Sequence, residues 1–348
     1  MNYSEILDKA QSDLFIIAEA GVNHNGDIQT AYKLIDAAFD AGCDAVKFQT
    51  WITDKVYSAD KSIKPDYQQL TTSSEESEYQ TIKNLELSYD QFVDLKEYCD
   101  KVGILFFSTP DEEQSADFLK RLDVDIIKTA SQDVTNIPFL SYISKLEIPV
   151  IYSTGACNLT ELVEGYSAIQ NNNNNVIVLH CVSSYPAPDN QLNLSFIPVL
   201  KSMFNTVVGF SDHTTGYGSA CAAVALGARV FEKHLTLDKL MTGPDHQASL
   251  TPNEMKEYCT SIRSALHALG DGEKKVMDCE ANTREAFRRY IVILKDMKVG
   301  DIITSSDIAY KKVVNGIHPK FSNLVIGSTL LKNVPADTVL SFDILSLS

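Results

Sequence analysis

A chain of 348 residues, 44% hydrophobic and 22% charged, has the composition of a globular protein, and roughly 150 residues per domain suggests two domains unless one is a large barrel of about 250. Its formal net charge of −16 excludes nucleic acid as the expected partner, because phosphate backbones need a basic surface. No window approaches about 18 consecutive apolar residues, so no membrane span is expected.

The first segment, MNYSEILDKAQSD, lacks the basic-then-apolar order of a signal peptide. The seven cysteines are scattered and odd in number with no C-x-x-C pair, which fits a reducing, cytoplasmic setting with buried or idle thiols. Short apolar runs of strand length then recur. In order they are LFIIA (14–18), AVKF (45–48), ILFFS (104–108), DIIKTA (125–130), PVIYS (149–153), VIVLH (176–180), VVGF (207–210) and RVFEKH (229–234). Helices are predicted over 27–42, 88–102, 111–122, 136–145, 158–170 and 216–227. In the first of these, Ala31, Leu34, Ile35 and Ala38 fall at helical spacing and Gly42 supplies the stop. Eight strands alternating with helices predict an α/β fold, a (β/α)8 TIM barrel over residues 1–270. A doubly wound sheet is the alternative.

Nearly every run ends in polar residues. They are Glu19, Lys47 with Gln49, Ser108 with Thr109, Lys128 with Ser131, Ser153 with Thr154, His180, then Ser211, Asp212 and His213, and finally Glu232 with His234. A single such tip reads as a capped helix start. Eight of them, with Glu, Lys and His among them, predict one shared site, because parallel barrel strands all end on the same rim.

Residues 271–287, DGEKKVMDCEANTREAF, lack a core pattern and read as a linker. The remaining 288–348 hold an imperfect repeat, DMKVGDIITSSDI (296–308) and NVPADTVLSFDI (333–344). Short β segments with turns predict a small domain, either an oligomer contact or a lid.

His213 and His234 end adjacent strands seven and eight, which suggests a shared divalent ion with positions left open for substrate oxygens. Glu232 and Asp212 are further carboxylate ligands in this reading, or orient the imidazoles. Lys47 and Lys128 interrupt apolar strands, and buried ammonium groups need anionic partners. Three readings stand: an internal salt bridge, recognition of phosphate or carboxylate with hydroxyls at Thr109, Ser131, Ser153 and Ser211, or a Schiff-base lysine. Glu19 is either a general acid/base or a structural carboxylate. In TGPDHQAS (242–249) Asp245 is placed to accept from a polyol, and in SSYPAP (183–188) Tyr185 is a substrate wall stiffened by Pro186 and Pro188.

The ordered motifs IAEAGVNHNG, AVKFQT, FFSTP, IKTAS, STG, LHCVSSYPAP, GFSDHTTG and FEKHLTLDKLMTGPDHQAS closely resemble the sialic acid synthase family, and the C-terminal repeat resembles its antifreeze-like (SAF) domain. The resemblance implies condensation of phosphoenolpyruvate with an N-acylmannosamine-type sugar, giving a nine-carbon α-keto acid of the sialic or legionaminic type. It implies a homodimer in which each C-terminal domain caps the partner's barrel. By the same resemblance His213 and His234 hold Mn²⁺ or Mg²⁺. Lys47, Thr109, Lys128, Ser131, Ser153 and Ser211 hold phosphoenolpyruvate. Glu19, Asp133, Tyr185 and Asp245 face the sugar, and Glu19 is assigned to proton transfer. The chain departs from the family where KTASQD puts Asp133 in place of a usual Glu, and where Ser183 follows strand six in place of Asn. It departs again at KVV (312–314) before Asn315-Gly316, and at Pro335, where some members carry an arginine. Other readings are a phosphoenolpyruvate-dependent sugar-phosphate synthase, a lysine aldolase, and a binding or assembly module resting on the antifreeze-like domain.

Overall fold

The structure, a computed structural model, describes residues 1–59 and 77–347. Runs that are apolar on both sides suit a parallel sheet covered by helices, and each of the eight forms a strand. These are β1 (Phe15–Gly21), β2 (Ala45–Thr50), β3 (Leu105–Pro110), β4 (Ile127–Thr129), β5 (Val150–Ser153), β6 (Val176–Cys181), β7 (Val208–Asp212) and β8 (Val230–His234). They pair in sequence order, all parallel, and β8 closes on β1 with Phe15 opposite Val230 and Glu19 opposite His234. The barrel is therefore the one expected. A doubly wound sheet would leave two open edges, and this sheet has none.

Side chains alternate across a strand. One set, including Phe15, Ile17, Phe107, Ile126, Ile151, Ile177 and Val230, fills the barrel interior. Ile6 and Ala10 of the N-terminal helix Tyr3–Ser12 pack into the same cluster, so that helix plugs the end where the strands begin. The other set, Leu14, Ile16, Val46 and Phe48 among them, meets the apolar faces of the surrounding helices. The predicted helix 27–42 is Ile28–Asp40, started by Asp27, which accepts from the Gln29 and Thr30 amides, and ended before Gly42 at φ +85°.

Helices that escaped the sequence reading include Tyr3–Ser12, Glu78–Leu85, Ile197–Phe204 and Pro252–Leu269. The last carried a legible signal. Thr251 and Glu254 form a capping box, Pro252 opens the first turn, and Met255, Tyr258, Cys259 and Ile262 recur at helical spacing. It completes the outer layer after β8. Among the described residues no helix is long and apolar enough to cross a membrane.

The chain divides into two compact units, Met1–Gly270 and Asp271–Ser348. Residues 271–287 carry a 3-10 turn, Asp278–Glu280, and the exposed helix Ala281–Phe287. In the second unit β9 (Arg289–Ile293) pairs antiparallel with β10 (Ile308–Lys312) over a small core of Ile291, Ile293, Ile303, Val325, Leu340 and Ile344. The sequence repeat is a structural one. Gly300 and Asp337 occupy equivalent left-handed turn positions, at φ +91° and +68°. Met297 and Val334 exchange both backbone hydrogen bonds (2.8 and 2.9 Å), and each half ends in a 3-10 turn holding Asp307 or Asp343.

Candidate active site

The same alternation that builds the barrel selects what its mouth contains. Along β7 and β8, Ser211, His213, Glu232 and His234 point inward, while Asp212 and Lys233 point outward. Cross-strand neighbours then pair by register: Ser211 Oγ donates to Glu232 Oε1 (2.9 Å) inside, and Lys233 meets Asp212 (3.1 Å) outside, both fully buried. Asp212 is thus removed from the mouth, contrary to the reading of it as a possible ligand. Its carboxylate also accepts from the Thr214 amide (2.8 Å), and Lys233 donates to the Thr214 carbonyl, so the outer pair braces the turn that carries His213. His180 is corrected for the same reason. It follows the inward Leu179, faces the outer layer and bonds the Leu192 carbonyl (2.7 Å), whereas its neighbour Cys181 enters the mouth.

The two strand lysines meet two glutamates. Lys47 Nζ lies 2.7 Å from Glu19 and 3.9 Å from Glu232, and donates to Thr109 Oγ1 (2.9 Å). Lys128 Nζ lies 3.4 Å from Glu232. Gln49 Nε2 donates to Glu19 Oε1 (3.0 Å). The internal salt bridge and the anion-binding reading are therefore compatible: the pairs exist, and they line a cavity of about 380 Å³, the size of a small-molecule site. The environments of the two glutamates differ. Burial raises Glu19 above the usual carboxylate range, opposed by Lys47 and reinforced by Glu232. Glu232 meets the same burial, but Lys128, Lys47 and the Ser211 hydroxyl bring it below that range. Two carboxyls with separated proton affinities in one mouth are the usual basis of acid/base work.

Hydroxyls converge on the same space from β4, β5 and β6. Ser131 Oγ donates to Ser153 Oγ (3.1 Å) and accepts from the Gly155 amide (3.0 Å). A Cβ on Gly155 would lie 2.2 Å from Ser183 Oγ and 2.7 Å from Ser131 Oγ, so this close approach needs glycine. On the far side the His213 and His234 rings lie 5.4 Å apart, and Tyr185 packs over both at 4.1 and 5.6 Å. The His213 Nδ1–H donates to the Val182 carbonyl (2.9 Å), which fixes the orientation of the ring. His234 Nδ1 is buried without a hydrogen-bond partner, 3.6 Å from Asp245 Oδ2. Burial and the nearby cations hold His234 neutral, well below its ordinary range. Burial and Glu19 push Asp245 up to about 7.

Of the residues expected at this rim, Ser108, Asp133, Thr154, His180 and Asp212 do not line the cavity, and all the others do. Asp133 lies buried in the 3-10 turn Ser131–Asp133, accepts from Asn136 Nδ2 (3.2 Å), and leaves Gln132 facing the cavity. Three contributions were missed. Cys181, read as a buried or idle thiol, is buried but lines the mouth 3.9 Å from His213; burial works against ionisation, but His213 and Lys128 lower the thiol to about 6. Burial likewise works to lower His213, yet that thiol and the Val182 carbonyl raise it. An apolar patch of Val22, Tyr57 and Ile82 lines one side.

The third is Asp111, read as the start of a helix. Glu112 does the capping instead, accepting from the Gln114 and Ser115 amides, so Asp111 stays outside the helix, at the rim. Burial and Asp133 push its carboxyl up to about 8, against Lys47 and Lys128. A carboxyl raised on folding binds its proton more tightly in the folded chain, so its contribution to stability falls as pH rises. Asp111→Asn mimics the protonated group and is expected to gain Tm relative to wild type as pH goes from about 6.5 to 8.5. A difference that stays flat in paired thermal melts would contradict this.

Residues 34–274 match the NeuB family and residues 288–345 the SAF domain. The chain is 43% identical over 328 residues to N,N'-diacetyllegionaminic acid synthase of Campylobacter jejuni, covering 93% of this chain and 98% of that protein. It is 41% identical to the protein of the same name from Legionella pneumophila, covering 94% of each. It is also similar to the crystal structure of N-acetylneuraminic acid (sialic acid) synthetase from Leptospira borgpetersenii. The TM-score is 0.69 and the identity 33%, covering 79% of this chain and 92% of that one.

Proposed function

Because the chain belongs to the NeuB family and is an enzyme, a nonulosonate synthase, we propose that its barrel mouth joins phosphoenolpyruvate to the aldehyde of an open-chain N-acylmannosamine-type sugar. C3 of phosphoenolpyruvate bonds to the aldehyde carbon, water adds at C2, and phosphate leaves, giving a nine-carbon α-keto acid. The observation that carries this reading is the juxtaposition of two buried lysines and two imidazoles in one cavity. The lysines, with hydroxyls of Thr109, Ser131, Ser153, Ser183 and Ser211, offer charge-assisted contacts to the phosphate and carboxylate of one substrate. Tyr185 and Asp245 offer a wall and an acceptor to the sugar. Glu19, raised by burial and level with His234, is placed to give a proton to the aldehyde oxygen as the new bond forms.

The donor set fits a divalent cation, Mn²⁺ or Mg²⁺. His213 is oriented by a backbone carbonyl, His234 has an orphaned buried nitrogen, and Asp245 stands beside it. Among the described residues no group of three or more His, Cys, Asp or Glu side chains is arranged to hold a metal ion, so the ion would rest on the two imidazoles, with its remaining positions left to substrate and water. Held by His213 and His234, the ion would supply Lewis-acid polarisation of the sugar carbonyl. Ligation requires neutral imidazole, so binding would release the proton that Cys181 helps to hold on His213.

A legionaminic-type acceptor is favoured over N-acetylmannosamine by the names of the two bacterial relatives above 40% identity. The test is phosphate release from phosphoenolpyruvate with N-acetylmannosamine or its diacetamido-deoxy analogue. Release with both components present, and faster by about tenfold with the analogue, is expected. Silence with both sugars, or a borohydride-trapped adduct with pyruvate, would overturn the reading. A cytoplasmic homodimer belongs to the same proposal, and light scattering of the full chain checks the dimer.

A further inference from the structure

We propose that Asp111 and the adjoining apolar wall of Val22, Tyr57 and Ile82 form a subsite for a second acylamino group on the acceptor sugar, the one remote from the reacting carbon. The inference rests on the nonulosonate-synthase reading and names its substrate class more closely.

The strand geometry places Asp111 first. Thr109 points inward to the Lys47 ammonium; Pro110 must then point outward and Asp111 inward, one step of about 6.5 Å further up the mouth. Asp111 lines the same cavity as Lys47 and Thr109, two residues past Thr109 toward the open end. Charge decides what it faces. The ammonium groups of Lys47 and Lys128 lie in the lower layer, so that layer suits the anionic substrate and the upper layer is left to the uncharged one. Position around the barrel decides which part of that substrate it meets. β3 lies across the closed barrel from β7 and β8, whose tips carry His213 and His234. A sugar with its aldehyde at the imidazoles therefore presents its distal carbons toward β3.

The chemistry of the neighbourhood narrows the substituent. The Asp111 amide donates to the Thr50 carbonyl (3.1 Å). The next residue, Trp51, belongs to an apolar cluster with Val22, Ile82 and Leu85, against which Tyr57 packs. A polar carboxyl thus adjoins an apolar surface open to the cavity. An acylamino group has the complementary pattern, an N–H and a carbonyl next to a methyl, whereas a hydroxyl would leave the wall unfilled. Burial and Asp133 push the Asp111 carboxyl up to about 8, so at neutral pH it is able both to donate to an amide carbonyl and to accept from an N–H.

Steady-state kinetics on the full-length protein loaded with Mn²⁺ test this, using N-acetylmannosamine and the diacetamido-deoxy sugar in parallel. Asp111→Ala should raise KM for the diacetamido sugar about tenfold while leaving KM for phosphoenolpyruvate and for N-acetylmannosamine within about twofold. Asp111→Asn, which keeps a donor and an acceptor, should recover most of the loss. Equal losses on both sugars, or a loss that falls on phosphoenolpyruvate, would overturn the subsite while leaving the synthase reading intact. Wild-type protein inert toward both sugars would remove the premise, and the inference with it.

Discussion

Lys47→Met is expected to lower kcat/KM for phosphoenolpyruvate by about a thousandfold and to cost about 3–5 kcal/mol of stability. The first effect follows from the proposed role. An ammonium with two charge-assisted contacts to an anion contributes roughly 1.5–3 kcal/mol through each. The second follows from the structure alone. Lys47 is 1% exposed and lies between Glu19 and Glu232, so its removal leaves carboxylates buried with only Lys128 to answer them. Urea unfolding separates the two effects. Adding Glu19→Gln to Lys47→Met should restore part of the stability, because one uncompensated charge is gone, but none of the turnover. A Lys47→Met variant whose kcat/KM for phosphoenolpyruvate stayed within about tenfold of wild type would mean Lys47 is merely a counter-ion.

Glu19→Gln should reduce kcat by about 10²–10⁴-fold, the usual contribution of a positioned proton donor or acceptor, with the fold preserved. The amide can still meet Lys47 and Gln49, and the substitution removes a group whose ionisation burial opposes. The pH profile supplies a second readout. A raised carboxyl is protonated to higher pH than an ordinary glutamate, so wild-type kcat should carry a limb that Glu19→Gln lacks. A kcat within tenfold of wild type, with the profile unchanged, would remove Glu19 from the chemistry.

The fold was largely legible because its signals are local. Eight apolar runs of strand length, each ending in polar residues, are read within a few residues of one another. Where the reading failed, the cause was usually the period-2 alternation applied one residue out of place. His180 was read at the strand tip, but Cys181 is the inward residue there. Asp111 was assigned to a helix, although Glu112 carries the capping contacts and Asp111 continues the inward series begun at Thr109. The helix Pro252–Leu269 was missed despite its capping box and periodic apolar face. For Asp133 no comparable signal existed. Whether a residue in a short turn after a strand faces the mouth or the wall depends on the turn's backbone, and here the 3-10 turn buries it.

By itself, then, the amino-acid order determined which segments are strands, that their ends are polar, and that the lysine, hydroxyl and imidazole groups belong to one rim, since these follow from backbone periodicity and parallel connection. Only the closed barrel decided how the charges share one another. Residues 19, 47, 128 and 232 meet because β8 pairs with β1 and four strands tilt their inward side chains into a common space. That meeting gives Glu232 two ammonium neighbours and Glu19 one, and so sets their proton affinities apart. Electrostatic energy depends on distance through space, which no spacing along the chain encodes.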